Sequence, residues 1–533
     1  MSDARLISLE VERFKSYLEP TRVELAPLTV LVGRNNSGKS TLIQALLLLK
    51  QTLAHRRKDI PLFLEGAVDA LSLRELTYGW PENGALFKGP KITVRWKSTV
   101  DVQAALKRAY MLGQDYSIDH SEEREWLKNT TVVELETNLS IETTDVGGHL
   151  ALSAVQISSH RNGAKHPISL DASCTEGKWT YCWKGEQINE IQVEFDHFLP
   201  YLAVDDQHVW LRSRERSWHV EFLAVFEQPL EDLKDILESL QYLGSTRTAP
   251  PSVYRSTGVP PEEIGMNGEY AAELIHTRRT DVVHYMPPLR VSDDALDYED
   301  RIESRTFVEA VNDTLSHLGI EAELRLEDVP NIGFRLLFGK ASLTHVGRGL
   351  TYLLPIVELG LFADPLRFKH VENIDSREAY SRACARYTHI AFEEPEAHIH
   401  PKVQTRLAHW MVAMAMANRQ LIVETHSDHL VRRLRGLIAR AQPGSELESW
   451  LRENVVIIEV EQHDGRSTIR KSRLTPDGSL GEHWPSDFMD EANTEESAIY
   501  YASLDKPAPT SEPVIESTIE HDVGDEPELP EEP

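Results

Sequence analysis

Gly33-Arg34-Asn35-Asn36-Ser37-Gly38-Lys39-Ser40-Thr41 stands between the apolar run Pro27–Val32 and the second apolar run Leu42–Leu49. The spacing is G-x-x-x-x-G-K-S, placed where a strand hands over to a helix. Gly33 and Gly38 allow backbone N–H groups to close around a triphosphate, and the positive end of the following helix points at the same anion. Lys39 is positioned to neutralise the β and γ phosphates, and the Ser40 hydroxyl to hold Mg²⁺. A chance glycine turn before Lys-Ser would leave the flanking strand and helix without a reason. The nine residues therefore predict a nucleotide site built on an α/β core.

A chain of 533 residues exceeds one ordinary compact domain, and its hydrophobic fraction of 41% is that of a water-soluble globular protein. No run of eighteen apolar residues occurs, and the start MSDARLISLE has neither a basic n-region nor a long apolar core. The expectation is a cytoplasmic protein with no membrane partner. Cys174, Cys182 and Cys384 form neither a C-x-x-C pair nor an even framework and read as buried apolar residues. A net charge of −29 argues against a surface that is basic throughout, while leaving room for a local basic groove. From Asp505 to Pro533 ten acidic residues face the single Lys506, a proline-rich composition expected to stay unfolded.

Along the chain, residues 1–90 read as the first part of an ATPase head, with strands at Leu6–Glu10 and Val23–Val32. Residues 91–220 alternate apolar and polar positions between Gly, Asn and Asp turns, as a β-rich insertion does. Trp96, Trp179 and Trp183 there could form a base-stacking surface, but aromatics at period two more often face a sheet core. Residues 221–340 carry helical periodicity at Glu221–Leu243 and Arg301–Leu318, with a proline-rich connection at Ala249–Pro251. Residues 341–455 return to strand, loop, helix, strand, turn, helix, the second part of the head. Residues 456–502 form a small C-terminal domain, and 503–533 the acidic tail.

Three further elements complete a nucleotide site. Tyr387–Phe392 is an apolar strand ending in Glu393-Glu394-Pro395-Glu396. Paired carboxylates at a strand end suit the chemistry the phosphate loop needs, so Glu393 is assigned to magnesium and Glu394 to the attacking water. A second apolar strand, within Arg419-Gln-Leu-Ile-Val-Glu-Thr-His426-Ser427, ends in a histidine, where a neutral imidazole can sense the γ phosphate. Upstream, Gly347 and Gly349 flank Arg348 at the predicted start of an apolar helix, again a phosphate-friendly geometry.

In this order the four elements resemble the ABC-type ATPase heads, in particular the compact RecF and OLD kind. EEPEAHIHP (Glu393–Pro401) and THSDHL (Thr425–Leu430) are similar to segments of a group of AAA family ATPases that ends in a domain of unknown function. So are YLGSTRTAPPSVY (Tyr242–Tyr254), IGMNGEYAAELI (Ile264–Ile275) and WPSDFMDE (Trp484–Glu491). The resemblance implies an ATPase using ATP and Mg²⁺ whose heads pair as a homodimer or higher even oligomer. Each ATP is then sandwiched between one loop and the Gly347–Gly349 motif of another copy. Two departures stand out: Glu393 occupies a position that is usually Asp, and Arg348 replaces a residue often aromatic or small. Arg348 is a candidate arginine finger. Septu- and retron-linked relatives imply a separately encoded effector such as a nuclease. A nuclease domain of the OLD type does not fit in the hundred or so residues after His426, and Asp487, Asp490 and Glu491 read as an acidic helix start rather than a metal cluster. Direct DNA contact is the alternative, drawn from Arg432, Arg433, Arg435 and Arg440 on one helix and from Arg212, Arg214 and Arg216.

Overall fold

The computed structural model describes residues 4–480, except 80–87, 112–129, 189–192, 203–220, 256–259, 292–295, 298–300, 368–373, 375 and 385–386. Arg212, Arg214, Arg216, the Trp484–Glu491 segment with its acidic trio, and the acidic tail lie outside the described residues. So does the second of two compact units, Ser486–Pro533.

The chain opens with β1 (Arg5–Glu12), β2 (Thr21–Glu24), β3 (Leu28–Val32) and helix α1 (Lys39–Leu53). Six strands follow: β4 (Lys91–Asp101), β5 (Val132–Val146), β6 (His149–Arg161), β7 (Ile168–Thr175), β8 (Lys178–Trp183) and β9 (Glu186–Ile188). Then come α2 (Gln228–Ser239), β10 (Gln241–Leu243), α3 (Phe307–Leu318) and α4 (Arg348–Phe362). The last part holds β11 (Thr388–Glu393), α5 (Pro401–Met416), β12 (Arg419–Glu424), α6 (Asp428–Arg440), β13 (Val455–His463) and β14 (Arg466–Arg473).

Two large sheets result. The first runs β10-β11-β12-β3-β13-β14, parallel except for the last hairpin. Its central strands are buried almost end to end: β3 and β12 throughout, and the first six residues of β13. That is the pattern of a parallel sheet covered on both faces. The second runs β2-β1-β4-β5-β6-β7-β8-β9, antiparallel, and β4 alternates half-buried and buried positions along its length. It is solvated on one face. The β-rich segment is thus continuous with the amino-terminal strands, because β4 pairs directly with β1 from Arg5↔Lys97 to Glu12↔Lys91. Gln420, buried at the start of β12, joins the sheets by exchanging two hydrogen bonds with the backbone of Leu6, at 3.0 and 2.8 Å.

Several local expectations shift. The expected helix Glu221–Leu243 ends at Ser239, since Gln241–Leu243 pairs in parallel with Ile390–Phe392, and sheet pairing outweighs local periodicity. The helix expected from Arg301 starts at Phe307, after a short strand and behind a capping box of Thr306 and Glu309. Trp96 is fully buried and donates to Pro229 O at 2.9 Å, and Trp183 packs edge-on to Phe226, so both serve the sheet core. Of the cysteines only Cys384 is buried; Cys174 and Cys182 are half-buried. Among the described residues no helix is long and apolar enough to cross a membrane.

Candidate nucleotide site

The parallel register brings three strand ends into line: Glu393 of β11 is paired with Glu424 of β12, and Glu424 with Leu31 of β3, one residue before β3 ends at Val32. The phosphate loop therefore leaves the sheet beside both carboxylates. Gly33 has φ +144°, and a Cβ there would lie 2.2 Å from Val460 O. Gly38 has φ +103°, and its Cβ would lie 2.5 Å from Ser467 Oγ and 2.7 Å from Ser16 Oγ. Only glycine fits either position. Asn36 is also left-handed at φ 61°, which asparagine tolerates.

The loop is braced from distant parts of the chain. Ser467 Oγ on β14 lies 2.5 Å from Ser37 O, and the Tyr17 hydroxyl donates to Gly38 O at 3.1 Å. Arg34, Asn35 and Asn36 remain exposed at the tip, while Ser37 and Thr41 are buried.

Lys39 begins α1 and is almost fully buried. Its ammonium donates to Gly33 O at 3.0 Å and Arg34 O at 2.8 Å, and lies 3.9 Å from Glu424 Oε1. Burial lowers its pKa, while Glu424, Glu394 and Glu396 oppose the shift. Ser40 Oγ donates to Glu424 Oε1 at 3.0 Å. The Glu424 carboxyl is pushed up to about 7, first by burial and next by the neighbouring Glu393. Burial also raises Glu393, which is held by the Tyr242 hydroxyl and the Ser245 backbone. Among the described residues Glu393 Oε1 and Glu424 Oε2 are buried without a hydrogen-bond partner.

Glu394 takes the left-handed conformation at φ 43°, and its N–H donates to Glu424 O at 2.8 Å. Its side chain is 41% exposed, and Oε1 stands 3.9 Å from His426 Nε2. Burial, then Lys39, lowers the His426 pKa against the opposing charge of Glu394, which favours the neutral imidazole. The His426 N–H donates to Glu396 Oε1 at 2.6 Å, which fixes the turn after β12.

The structure thus brings together Lys39, Ser40, Glu393, Glu394 and His426. The glycine motif sits differently. Gly349 packs on the loop after Glu396, where its Cβ would lie 2.8 Å from His398 O, and Tyr352 meets the His398 ring edge-on at 4.8 Å. Gly347 and Arg348, at the start of α4, are exposed.

Two residues that sequence reasoning passed over belong here. Glu424 is the one acid of its strand and ends the apolar run Leu421–Val423, flush with Glu393, and that incongruity was its signal. Arg247 follows β10; its Nη2 donates to Glu393 O at 3.2 Å, while Nε and Nη1 are buried without partners among the described residues. Burial pulls its pKa down to about 10, against Tyr242, Tyr352, Glu393 and Glu394. Tyr242, Ser245 and Arg247 all reach Glu393 from this connection.

A family model described as an AAA ATPase domain matches residues 5–155, which contain the phosphate loop. A second, described as an AAA domain, putative AbiEii toxin, Type IV TA system, matches residues 379–432, which contain Glu393, Glu394, Glu424 and His426. The chain is a P-loop ATPase. It is 39% identical over 80 residues to the DNA replication and repair protein RecF of Crocosphaera subtropica, a stretch covering 14% of this chain and 21% of that relative. The match thus spans about a fifth of the relative's length. Among solved structures, the SmcHead bound to the C-winged helix domain of ScpA is 13% identical, with 88% of this chain and 98% of that chain covered and a TM-score of 0.38. The SMC head domain from Thermotoga maritima is 11% identical, with 88% and 100% covered and a TM-score of 0.31.

Proposed function

We propose that this ATPase is a Mg²⁺-dependent, ATP-driven switch that closes as a dimer of heads and, in doing so, controls a separately encoded effector such as a nuclease in DNA processing or anti-phage defence. The observation that carries the reading is the alignment of Lys39, Ser40, Glu393 and Glu424 at three adjacent strand ends, with Glu394 the exposed carboxylate next to His426.

Lys39 can exchange its two loop carbonyls for phosphate oxygens as the loop N–H groups take up the triphosphate. The unpartnered oxygens of Glu393 and Glu424, with the Ser40 hydroxyl, are hard donors of the kind Mg²⁺ takes alongside phosphates and water. Among the described residues no cluster of three or more His, Cys, Asp and Glu forms a complete metal cage, in keeping with a site that phosphates complete. A bound magnesium ion would offset the charge developing on the transferred phosphoryl group. Glu394, beside His426, would orient and deprotonate the attacking water, and His426 in its neutral form would donate to the γ phosphate. The exposed start of α4 at Gly347–Arg348 is available to the nucleotide of a second copy, with Arg348 supplying positive charge to it.

ATP turnover measured against protein concentration tests this. Wild-type specific activity should rise with concentration. Lys39→Ala should lose nucleotide binding. Glu394→Gln should bind ATP, turn over about 10²- to 10⁴-fold more slowly and accumulate as a dimer. Turnover independent of concentration, with no ATP-stabilised dimer of Glu394→Gln, would sink the dimer reading. An Arg348→Ala protein with unchanged turnover and dimerisation removes the arginine-finger role.

A second reading, a repair-type ATPase that contacts duplex DNA itself, draws on the matched stretch of RecF and on Arg433 and Arg440, which share one face of α6. A steep loss of DNA affinity with salt supports it, and no binding at low salt removes it.

A further inference from the structure

The four arginines of α6 divide by helix geometry. Arg432 is ion-paired to Asp428 at 3.1 Å, and Arg435 donates to Gly478 O at 2.5 Å. Arg433 and Arg440, seven residues apart and so on one face, turn toward α5. Burial lowers the pKa of His409, and Arg433, Arg406 and Arg440 add to that shift; burial likewise lowers Arg433, with Arg440 and Arg406 adding to it. Positive charge from α5 and α6 thus acts on one buried ring.

Beside them opens a cavity of about 350 Å³ lined by Leu289, Arg290, Ser316, His317, Arg406 and His409. His409 is 5% exposed; Nδ1 bonds Leu289 O at 2.8 Å, and Nε2 is buried without a partner among the described residues. The Arg406 guanidinium lies across Gly319, where a Cβ would be 1.8 Å from its Nη1. Arg290 donates to His317 Nε2 at 2.9 Å, and His317 Nδ1 bonds Asp313 O. The acid of this neighbourhood, Asp313, is already engaged by the Tyr285 hydroxyl at 2.7 Å and by Arg305 at 3.8 Å.

We infer that this cavity, lined by α3, α5 and the Leu289–Arg290 segment, is a binding site for a phosphate-bearing anion, held by Arg406 and Arg290 with Ser316 and His317 in its lining. Planar guanidinium groups engage phosphate oxygens in pairs, and a cavity of this size admits a phosphoryl group with the moiety it is attached to. The site shares no residue with the nucleotide site.

The test uses full-length Lys39→Ala protein, so that the phosphate loop does not compete. Inorganic pyrophosphate should raise its thermal midpoint saturably, and sodium chloride at equal ionic strength should not. Adding Arg406→Gln and Arg290→Gln should weaken the response at least tenfold, and Arg406→Lys, which keeps the charge but not the fork, should weaken it partly. With Lys39 intact, the Arg406→Gln/Arg290→Gln pair should leave ATP turnover unchanged, which confirms folding. Fluorescence anisotropy with a duplex oligonucleotide separates the sources. Arginine-dependent binding that pyrophosphate competes away assigns the site to a nucleic-acid backbone, and pyrophosphate binding without duplex binding assigns it to a free phosphate compound. A pyrophosphate response that survives in the double-arginine variant, or is matched by chloride, overturns the inference.

Discussion

The nucleotide site and the arginine cavity are electrostatic opposites. In the first, Glu394, Glu396 and Glu424 act on one buried base, Lys39; in the second, Arg406, Arg433 and Arg440 act on another, His409. Burial disfavours the charged form of both bases. Around Lys39 the neighbouring charges oppose that shift, whereas around His409 the arginines add to it and bring the pKa down to about 4. The difference teaches what each place offers: the first has carboxylate oxygens without hydrogen-bond partners among the described residues, the chemistry that suits a cation, and the second has guanidinium groups lining a cavity, the chemistry that suits an anion.

The contrast can be broken first through its glycines. Gly33→Ala must move the Val460 carbonyl, which is backbone, while Gly319→Ala need only displace the tip of Arg406. Both have positive φ. Chemical denaturation should show a loss of at least about 3 kcal/mol for Gly33→Ala and about 1–2 kcal/mol for Gly319→Ala. Equal losses would mean the loop yields as easily as an arginine.

Next in size is the pH dependence of stability in metal-free buffer, where the two regions have opposite signs. The raised Glu424 pKa means the folded state holds a proton the unfolded state has released. Its contribution is therefore lost as pH rises from about 4.5 to about 7. His409 is depressed, so the unfolded state takes the proton first, and stability is lost as pH falls from about 6.5 to about 4. Relative to wild type, Glu424→Gln should make stability climb more steeply with pH across this window, and His409→Gln should make it climb less. Each difference should be no more than about 3 kcal/mol by denaturation at pH 4.5 and 7. Slopes of one sign in both variants would refute the opposition.

The smallest effect is the sharpest. Arg433→Gln removes the largest charge acting on His409 and should raise its pKa by less than about one unit in an NMR titration. A fall, or no change, would place Arg433 away from the ring.

The sequence made the phosphate loop, the acidic strand and the strand-end histidine legible because each is a short apolar run ending in a residue with one chemical use. Glu424 was hidden in plain view, since its role comes from the register of β12 against β11 and β3, which periodicity does not reveal. Arg247 was hidden because β10 is three residues long and looks like the end of α2. The continuity of the β-rich segment with β1 was equally invisible, as it depends on pairing across some eighty residues. On α6 the arginines were read as one group, and only their partners divide them.

The bracing of the phosphate loop has a consequence in time. The loop occupies residues 33–41, but β3 is paired on both sides by strands made nearly four hundred residues later or more, and Ser467 holds Ser37 in place. At about 5–20 residues per second of synthesis, the loop waits tens of seconds for its supports. A growing chain therefore carries its phosphate loop without these braces until β12, β13 and Ser467 have been made.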